Sequence, residues 1–242
     1  MKIVLVTFGS LGDVQPMVTL SLALKRAGHN VLLAGPPEKA GWASRLGCPY
    51  YPFGSDITAF LDGFKETYSL RSALKFMEFL RREVDSQFDV LRGIIQAADL
   101  AVGSSLAFAL SSVAESLSIP YRYIAFTPQI FPSGHHPFPA LRHQGLPGWY
   151  NRGTWRTAQI LDRFYFTRLI NNRRKQLGLR PLRDAWFHIL GRDVILACDP
   201  VIAQAPSDAG PAVTQTGYMH LSQPGGFNPE LEEFLESGPP PI

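Results

Sequence analysis

Residues 3–8 read Ile-Val-Leu-Val-Thr-Phe, a β-branched and apolar run with no polar alternation, cut off at once by Gly9-Ser10-Leu11-Gly12-Asp13. A strand that is apolar on both faces has to be covered on both. That condition is met in the interior of a parallel sheet with helices packed on each side. The next segment, 14–27, has helical spacing through Val14, Val18 and Leu22, a basic pair Lys25-Arg26 in its last turn, and Gly28 as its stop. Residues 30–34 predict a second strand closed by Gly35-Pro36-Pro37, residues 38–46 a short helix, and residues 49–53 a third strand. The alternation of strand and helix predicts an α/β domain with a doubly wound parallel sheet.

The rest of the chain extends the same plan. A helix from residue 70 carries Leu74, Met77, Leu80, Val84, Phe88, Leu91 and Ile95 at steps of three and four. A strand at 100–102, a helix at 106–117 and a strand at 121–125 follow. Residues 127–150 form a long loop with five prolines and the aromatics Phe131, Phe138 and Trp149. Loops of that length and composition are usually functional. A single long helix is predicted over 154–177 and a last core strand over 194–197. The tail, 221–242, ends Gly238-Pro239-Pro240-Pro241-Ile242 and has the composition of a linker. The expected division is a domain over 1–220 and a linker over 221–242.

Several function classes are disfavoured. With 45% apolar and 18% charged residues in 242, the chain is globular, and two cysteines provide neither a disulfide scaffold nor a four-cysteine zinc site. The N-terminal apolar run is too short for a signal peptide, and no stretch has the length of a membrane span. The net charge of +3 hides a basic segment: residues 142–192 hold eleven Lys and Arg against Asp162 and Asp184. Arg168, Arg173, Arg174, Lys175, Arg180, Arg183 and Arg192 read first as a solvated helix face, with contact to anionic lipid headgroups as a second reading. No nucleic-acid-binding module accompanies them. His135, His136 and His143 lack helical spacing and a nearby acid, so no metal site is expected.

The first strand–helix junction is where ligands bind in an open α/β sheet, because helix N-terminal amides point into the crevice. Here it lacks the glycines of a dinucleotide fingerprint and the Gly-Lys-Ser/Thr of a phosphate loop. Residues 103–107, Gly-Ser-Ser-Leu-Ala, are not a hydrolase nucleophile elbow. Asp13 has a plain reading as an N-cap acid, with Pro16 tolerated in the first turn. A cleft-facing carboxylate held at a helix start can also do chemistry, and the two readings are compatible.

Residues 7–16, Thr-Phe-Gly-Ser-Leu-Gly-Asp-Val-Gln-Pro, resemble the N-terminal motif of family 1 glycosyltransferases of the GT-B architecture. The subgroup is the one with sterol glucosyltransferases, glycolipid rhamnosyltransferases and glycopeptide-antibiotic enzymes. Residues 27–31 (Ala-Gly-His-Asn-Val), 113–120 (Val-Ala-Glu-Ser-Leu-Ser-Ile-Pro) and 171–179 (Asn-Asn-Arg-Arg-Lys-Gln-Leu-Gly-Leu) are similar to later segments of that family.

The resemblance implies a Rossmann-like N-terminal half of a GT-B fold that binds the acceptor. A C-terminal domain, in cis or in trans, would hold most of a UDP- or dTDP-sugar, with no cofactor or metal. It implies transfer with inversion to a hydroxyl of a sterol, lipid or polyketide. Asp13 falls on the position of the family's base, an aspartate in this subgroup and a histidine elsewhere. The acid that partners the histidine follows the fourth strand. Here that place reads Gly103-Ser104-Ser105, so that dyad is absent. Gly9, Ser10, Leu11 and Gly12 are the candidate donor contacts. Phe64, Phe126, Thr127, Gln129, Phe131, His135 and Phe138 are the candidate acceptor contacts, although the aromatics among them could equally pack the loop onto the domain. The implied location is cytoplasmic, peripheral to a membrane where the acceptor is a lipid, and the chain alone is not expected to transfer sugar. A non-catalytic binding module, or one subunit of a split glycosyltransferase, is the alternative.

Overall fold

The apolar run becomes β1 (Lys2–Phe8), the third strand of a seven-stranded sheet in the computed structural model, which describes residues 1–56, 70–139, 141, 145–221 and 228–239. After it come α1 (Leu11–Arg26), β2 (Asn30–Gly35), a 3₁₀ turn and α2 (Ala40–Arg45), β3 (Tyr50–Pro52), α3 (Leu70–Ile95), β4 (Leu100–Ser105), α4 (Leu110–Ser116) and β5 (Tyr121–Ala125). The chain continues through α5 (Gly148–Phe164), α6 (Phe166–Gln176), α7 (Ala185–Leu190), β6 (Asp193–Leu196), β7 (Ala212–Gln215) and α8 (Pro229–Glu236). Strand order is β3-β2-β1-β4-β5-β6-β7 and every pairing is parallel. The predicted doubly wound α/β sheet is therefore what forms.

The missing alternation in β1 has its expected cause. Ile3 and Leu5 enter one layer with Val14, Met17 and Val18 of α1. Val4 and Val6 enter the opposite layer with Val84, Phe88, Leu91 and Ile95 of α3 and Leu110 and Val113 of α4. Successive side chains of a strand point to opposite faces, so a strand with helices on both sides needs apolar residues throughout.

Several boundaries differ from the sequence reading. Helix α1 begins at Leu11 with Ser10 as N-cap, which makes Asp13 its third residue rather than its cap. Pro16 is the sixth residue of α1, past the first turn, and its ring nitrogen cannot donate to the Gly12 carbonyl. β4 runs on to Ser105, and residues 106–109 form a loop before α4, where a helix was expected from 106. The single helix expected over 154–177 is two, broken at Tyr165, whose hydroxyl donates to the Met77 carbonyl of α3 (2.6 Å). The sheet continues one strand past β6, to the half-exposed β7 at its edge. The tail expected to be linker contains α8, capped by Asn228 through its side-chain oxygen (3.1 Å to Glu230 N–H) and with no buried residue.

Candidate functional site

In a sheet of this order the chain reverses its direction of travel between β1 and β4. The loops leaving those two strands separate there and open a crevice at their C-terminal ends. Thr7 and Phe8 pair with Ser104 and Ser105 across that point. The Leu106 N–H donates to the Phe8 carbonyl (3.1 Å), tying the two lips together.

Asp13 reaches this crevice from α1. Its Oδ2 accepts from the Ser10 N–H (2.7 Å) and the Ser10 hydroxyl (2.9 Å), the back-reach of a capping box. Its Oδ1 accepts from the Ser105 hydroxyl (2.6 Å), 92 residues along the chain. Gly9 makes room for the fold-back: a Cβ there would lie 2.3 Å from Asp13 Oδ2 and 2.6 Å from its Cγ. Gly12 has no such constraint, since its Cβ would meet only Ser10 Oγ at 3.6 Å. Leu11 and Gly12 are exposed at the first helical turn, where backbone N–H groups have no intrahelical acceptor.

Ser105 is held as firmly as Asp13. It has φ 51°, the left-handed region that non-glycine residues enter at a cost of roughly 1–3 kcal/mol. Its carbonyl accepts from the Tyr123 hydroxyl (2.9 Å). Burial, and after it the Asp13 charge, pushes the Tyr123 phenol well above its ordinary range, so Tyr123 remains a donor. Gln87 of α3, fully buried, clamps the following loop: its Nε2 donates to the Leu106 carbonyl (2.9 Å) and its Oε1 accepts from the Ala109 N–H (3.2 Å). Sequence reasoning found Asp13 and missed Ser105, Gln87 and Tyr123.

On the α3 side of the sheet lies a cavity of about 380 Å³. Leu106 and Phe108 line it after β4, Ile130, Pro132 and Phe138 after β5, and Leu80, Trp155, Phe166 and Trp186 from the helices. Its polar lining comes from Gln159 and Asp162. Burial raises the Asp162 carboxyl, although the Thr167 hydroxyl on its Oδ2 (2.6 Å) opposes that shift. Leu106, the residue after Ser105, is where the cavity lining comes nearest along the chain to the Asp13–Ser105 pair.

The acceptor candidates divide. Phe138 lines the cavity, with its ring edge-on to Trp155 at 5.2 Å. Phe131 does not: it is fully buried in the main core, where it supports the loop from beneath. Phe126 packs against the core cluster under α1, on the other side of the sheet. Thr127 and Gln129 are exposed at a 3₁₀ turn, where Thr127 Oγ1 accepts from the Gln129 N–H (3.3 Å). His135 is exposed, 3.4 Å from Ser207 Oγ, on a stretch pinned to Asp208 by the Ser133 hydroxyl (2.6 Å) and the Gly134 N–H (2.9 Å). Phe64 and His143 lie outside the described residues. Among the described residues no three His, Cys, Asp or Glu gather to hold a metal ion.

The basic segment is not one solvated face. Arg174 is 1% exposed, bonded to Glu115 Oε2 (2.7 Å), Ser112 Oγ (3.0 Å) and the Arg180 carbonyl (2.9 Å). It joins α6 to α4. Arg173 meets Asp85 and Asp89 of α3 and lies over the Phe88 ring.

Residues 3–133 match the glycosyltransferase family 28 N-terminal domain. Glycosyltransferase GtfC of Amycolatopsis orientalis is 33% identical over the whole chain, which spans 59% of that protein. Sterol 3-beta-glucosyltransferase UGT80A2 of Arabidopsis thaliana is 27% identical, again over the whole chain and 40% of its own length. The calicheamicin glycosyltransferase CalG4 superposes with a TM-score of 0.66 at 16% identity, over 94% of this chain and 55% of that one. The chain thus spans from two-fifths to three-fifths of the relatives it matches. The expected kinship with glycopeptide-antibiotic and sterol enzymes is borne out: the chain belongs to the glycosyltransferase family 28 N-terminal domain family and has the fold of the N-terminal half of a GT-B glycosyltransferase.

Proposed function

We propose that this chain is the acceptor-binding part of an inverting glycosyltransferase, in which Asp13 is the base. The observation that carries the reading is a carboxylate fixed at the end of β1 by Ser10 and Ser105, on a domain whose apolar cavity starts at Leu106, the residue after Ser105. Oδ2 already takes two hydrogen bonds. Oδ1 takes one, from Ser105, and keeps a lone pair for an acceptor hydroxyl.

An alcohol is far less acidic than a carboxylic acid, so the proton cannot leave in advance. It passes to Asp13 Oδ1 as the acceptor oxygen bonds to the anomeric carbon and the bond from that carbon to the nucleotide diphosphate breaks, with inversion. Positioning supplies much of the gain. The donor is a UDP- or dTDP-sugar held mostly by a C-terminal domain in cis or in trans, toward which residues 221–242 lead from the acceptor domain at 1–220. The exposed α1 N-terminus, at Ser10, Leu11 and Gly12, faces that donor's charge. The acceptor is an apolar alcohol of the sterol, lipid or polyketide class, seated against Phe138 and Trp155. The relative named as a sterol 3-beta-glucosyltransferase supports that class.

The test is Asp13→Asn in the active, donor-domain-complemented enzyme. Turnover should fall by about 10²–10⁴ while the chain stays folded, its melt lowered by only a few degrees, roughly the loss of one hydrogen bond on the carboxylate. Turnover equal to the parent's would remove Asp13 from the chemistry and leave it a capping residue.

A further inference from the structure

The outward face of α5 is apolar where a surface helix should be polar. Trp149 is 75% exposed, Phe164 76%, Leu161 65% and Ile160 54%. With Gly153 and Thr157 these fall on one side of the helix, at steps of three, four and seven. Asn151, Trp155, Ala158 and Asp162 take the inward side; Asn151 and Trp155 are buried and Ala158 and Asp162 half-buried. Along one flank of the apolar stripe runs a row of exposed arginines, Arg152, Arg156 and Arg163. Two carboxylates stand near them: Asp162, turned inward, and Asp208, which Arg152 meets at 3.4 Å. Among the described residues Arg156 and Arg163 form no direct ion pair, and the Arg163 charge reaches Asp162 only at longer range.

A groove of about 500 Å³ follows the stripe past Leu141, Trp149 and Leu161, and it shares Phe138 and Ala158 with the apolar cavity that starts at Leu106. We propose that α5 docks this chain on an anionic lipid bilayer, with the Trp149–Phe164 stripe in the headgroup–acyl boundary and the three arginines on lipid phosphates. An apolar stripe edged by basic residues, with Trp and Tyr at one end, is the composition of a helix that lies in that interface, about 5–10 Å deep. A protein partner would match the apolar stripe, whereas a layer of lipid phosphates over acyl chains matches the stripe and the exposed Arg156 and Arg163 beside it together. A second copy of this face would bring arginine against arginine. Once docked, the groove offers a lipid-soluble alcohol an apolar path from the bilayer past Phe138 to the cavity. That delivery step rests on the transferase reading; the docking does not, and is measured without donor or turnover.

The complete chain is to be floated with vesicles of phosphatidylcholine alone and with vesicles containing about one-third phosphatidylglycerol. It should bind the second at least tenfold more tightly than the first, with the difference shrinking as salt is raised. Arg156→Glu/Arg163→Glu should lose about 10² or more of that binding. Trp149→Ser/Phe164→Ser should also lose most of it, and because these side chains are exposed, both variants should keep the parent's circular dichroism melt. Brominated acyl chains should quench parent fluorescence and leave Trp149→Phe unquenched. Equal binding to both vesicles, variants that float like the parent, or a parent that stays in solution as a dimer dissolved by Trp149→Ser would each overturn the proposal.

Discussion

Replacing Gly9 with Ala separates two reasons for a glycine in the first loop. In the structure the added methyl would lie 2.3 Å from Asp13 Oδ2, 2.6 Å from Cγ and 2.9 Å from Cβ. Ordinary contact begins near 3.4 Å, so the carboxylate has to retreat by about 1 Å or more, because neither the β1 backbone nor α1 can move without breaking sheet or core. A displacement of that size at a reacting group costs about 10² in rate. The retreat also strains the two Ser10 contacts on Oδ2, a loss of about 1 kcal/mol at the start of α1. Steady-state kinetics with donor and acceptor varied separately, alongside urea unfolding, reads all three quantities. If Gly9 serves Asp13, kcat falls about a hundredfold while KM for the nucleotide sugar holds. If Gly9 instead lets the donor approach the backbone, donor KM rises and kcat holds. The second pattern, or kinetics equal to the parent's, would refute the steric account.

Ser105→Ala removes a charge-assisted hydrogen bond worth about 1.5–3 kcal/mol, so kcat/KM should drop by about 10- to 150-fold, and the same change in an Asp13→Ala background should do nothing further. A drop of equal size in both backgrounds would show that Ser105 acts elsewhere. Glu115→Gln should destabilise the domain by about 1–3 kcal/mol at neutral pH, because the buried Arg174 guanidinium loses its counter-charge while Glu115 itself is partly solvated. The Arg174 hydrogen bond, then its charge, holds the Glu115 carboxyl below its ordinary value. The contribution is therefore present above the unfolded-state pKa, roughly 4.3, and is lost as pH falls through the lower folded value. The gap between parent and variant in urea midpoint should close below about pH 4; a gap that widens on acidification would contradict the pairing.

What was legible in the sequence was whatever a single segment settles by itself. β1 could be read because no other environment tolerates apolar residues on both faces, and α3 because Val84, Phe88, Leu91 and Ile95 keep one stripe for the core. Asp13 could be found because its motif is contiguous. The break at Tyr165 was not legible, since it accompanies a bond to Met77, 88 residues away, and nothing local in 154–177 marks it. β7 is four residues long with its alternate side chains exposed, too short a pattern to separate from loop. Phe131 and Phe138 look alike as residues of one aromatic loop. Only the packed chain shows that the first is core and the second cavity wall. Ser105 was hidden for the same reason as Tyr165: its role depends on the β1–β4 register and on one left-handed residue.

That hidden serine explains a gap in the motif. The family resemblance assigns an acid after the fourth strand to members whose base is histidine, and the place here reads Gly103-Ser104-Ser105. An imidazole base becomes a cation as it takes the proton, so a carboxylate behind it stabilises the product of that transfer. A carboxylate base starts as an anion and becomes neutral. A second carboxylate at the 2.6 Å spacing of Ser105 Oγ and Asp13 Oδ1 would force one of the pair to hold a proton and so take the base out of service. A neutral hydroxyl avoids this. In the proposed transfer it would orient Asp13 beforehand and turn to accept once Asp13 has taken the acceptor's proton, because a serine hydroxyl both donates and accepts. Tyr123 on the Ser105 carbonyl and Gln87 on the next loop fix the backbone, leaving only that rotation free. The serine thus suits an aspartate base by the same electrostatic rule that suits an acid to a histidine.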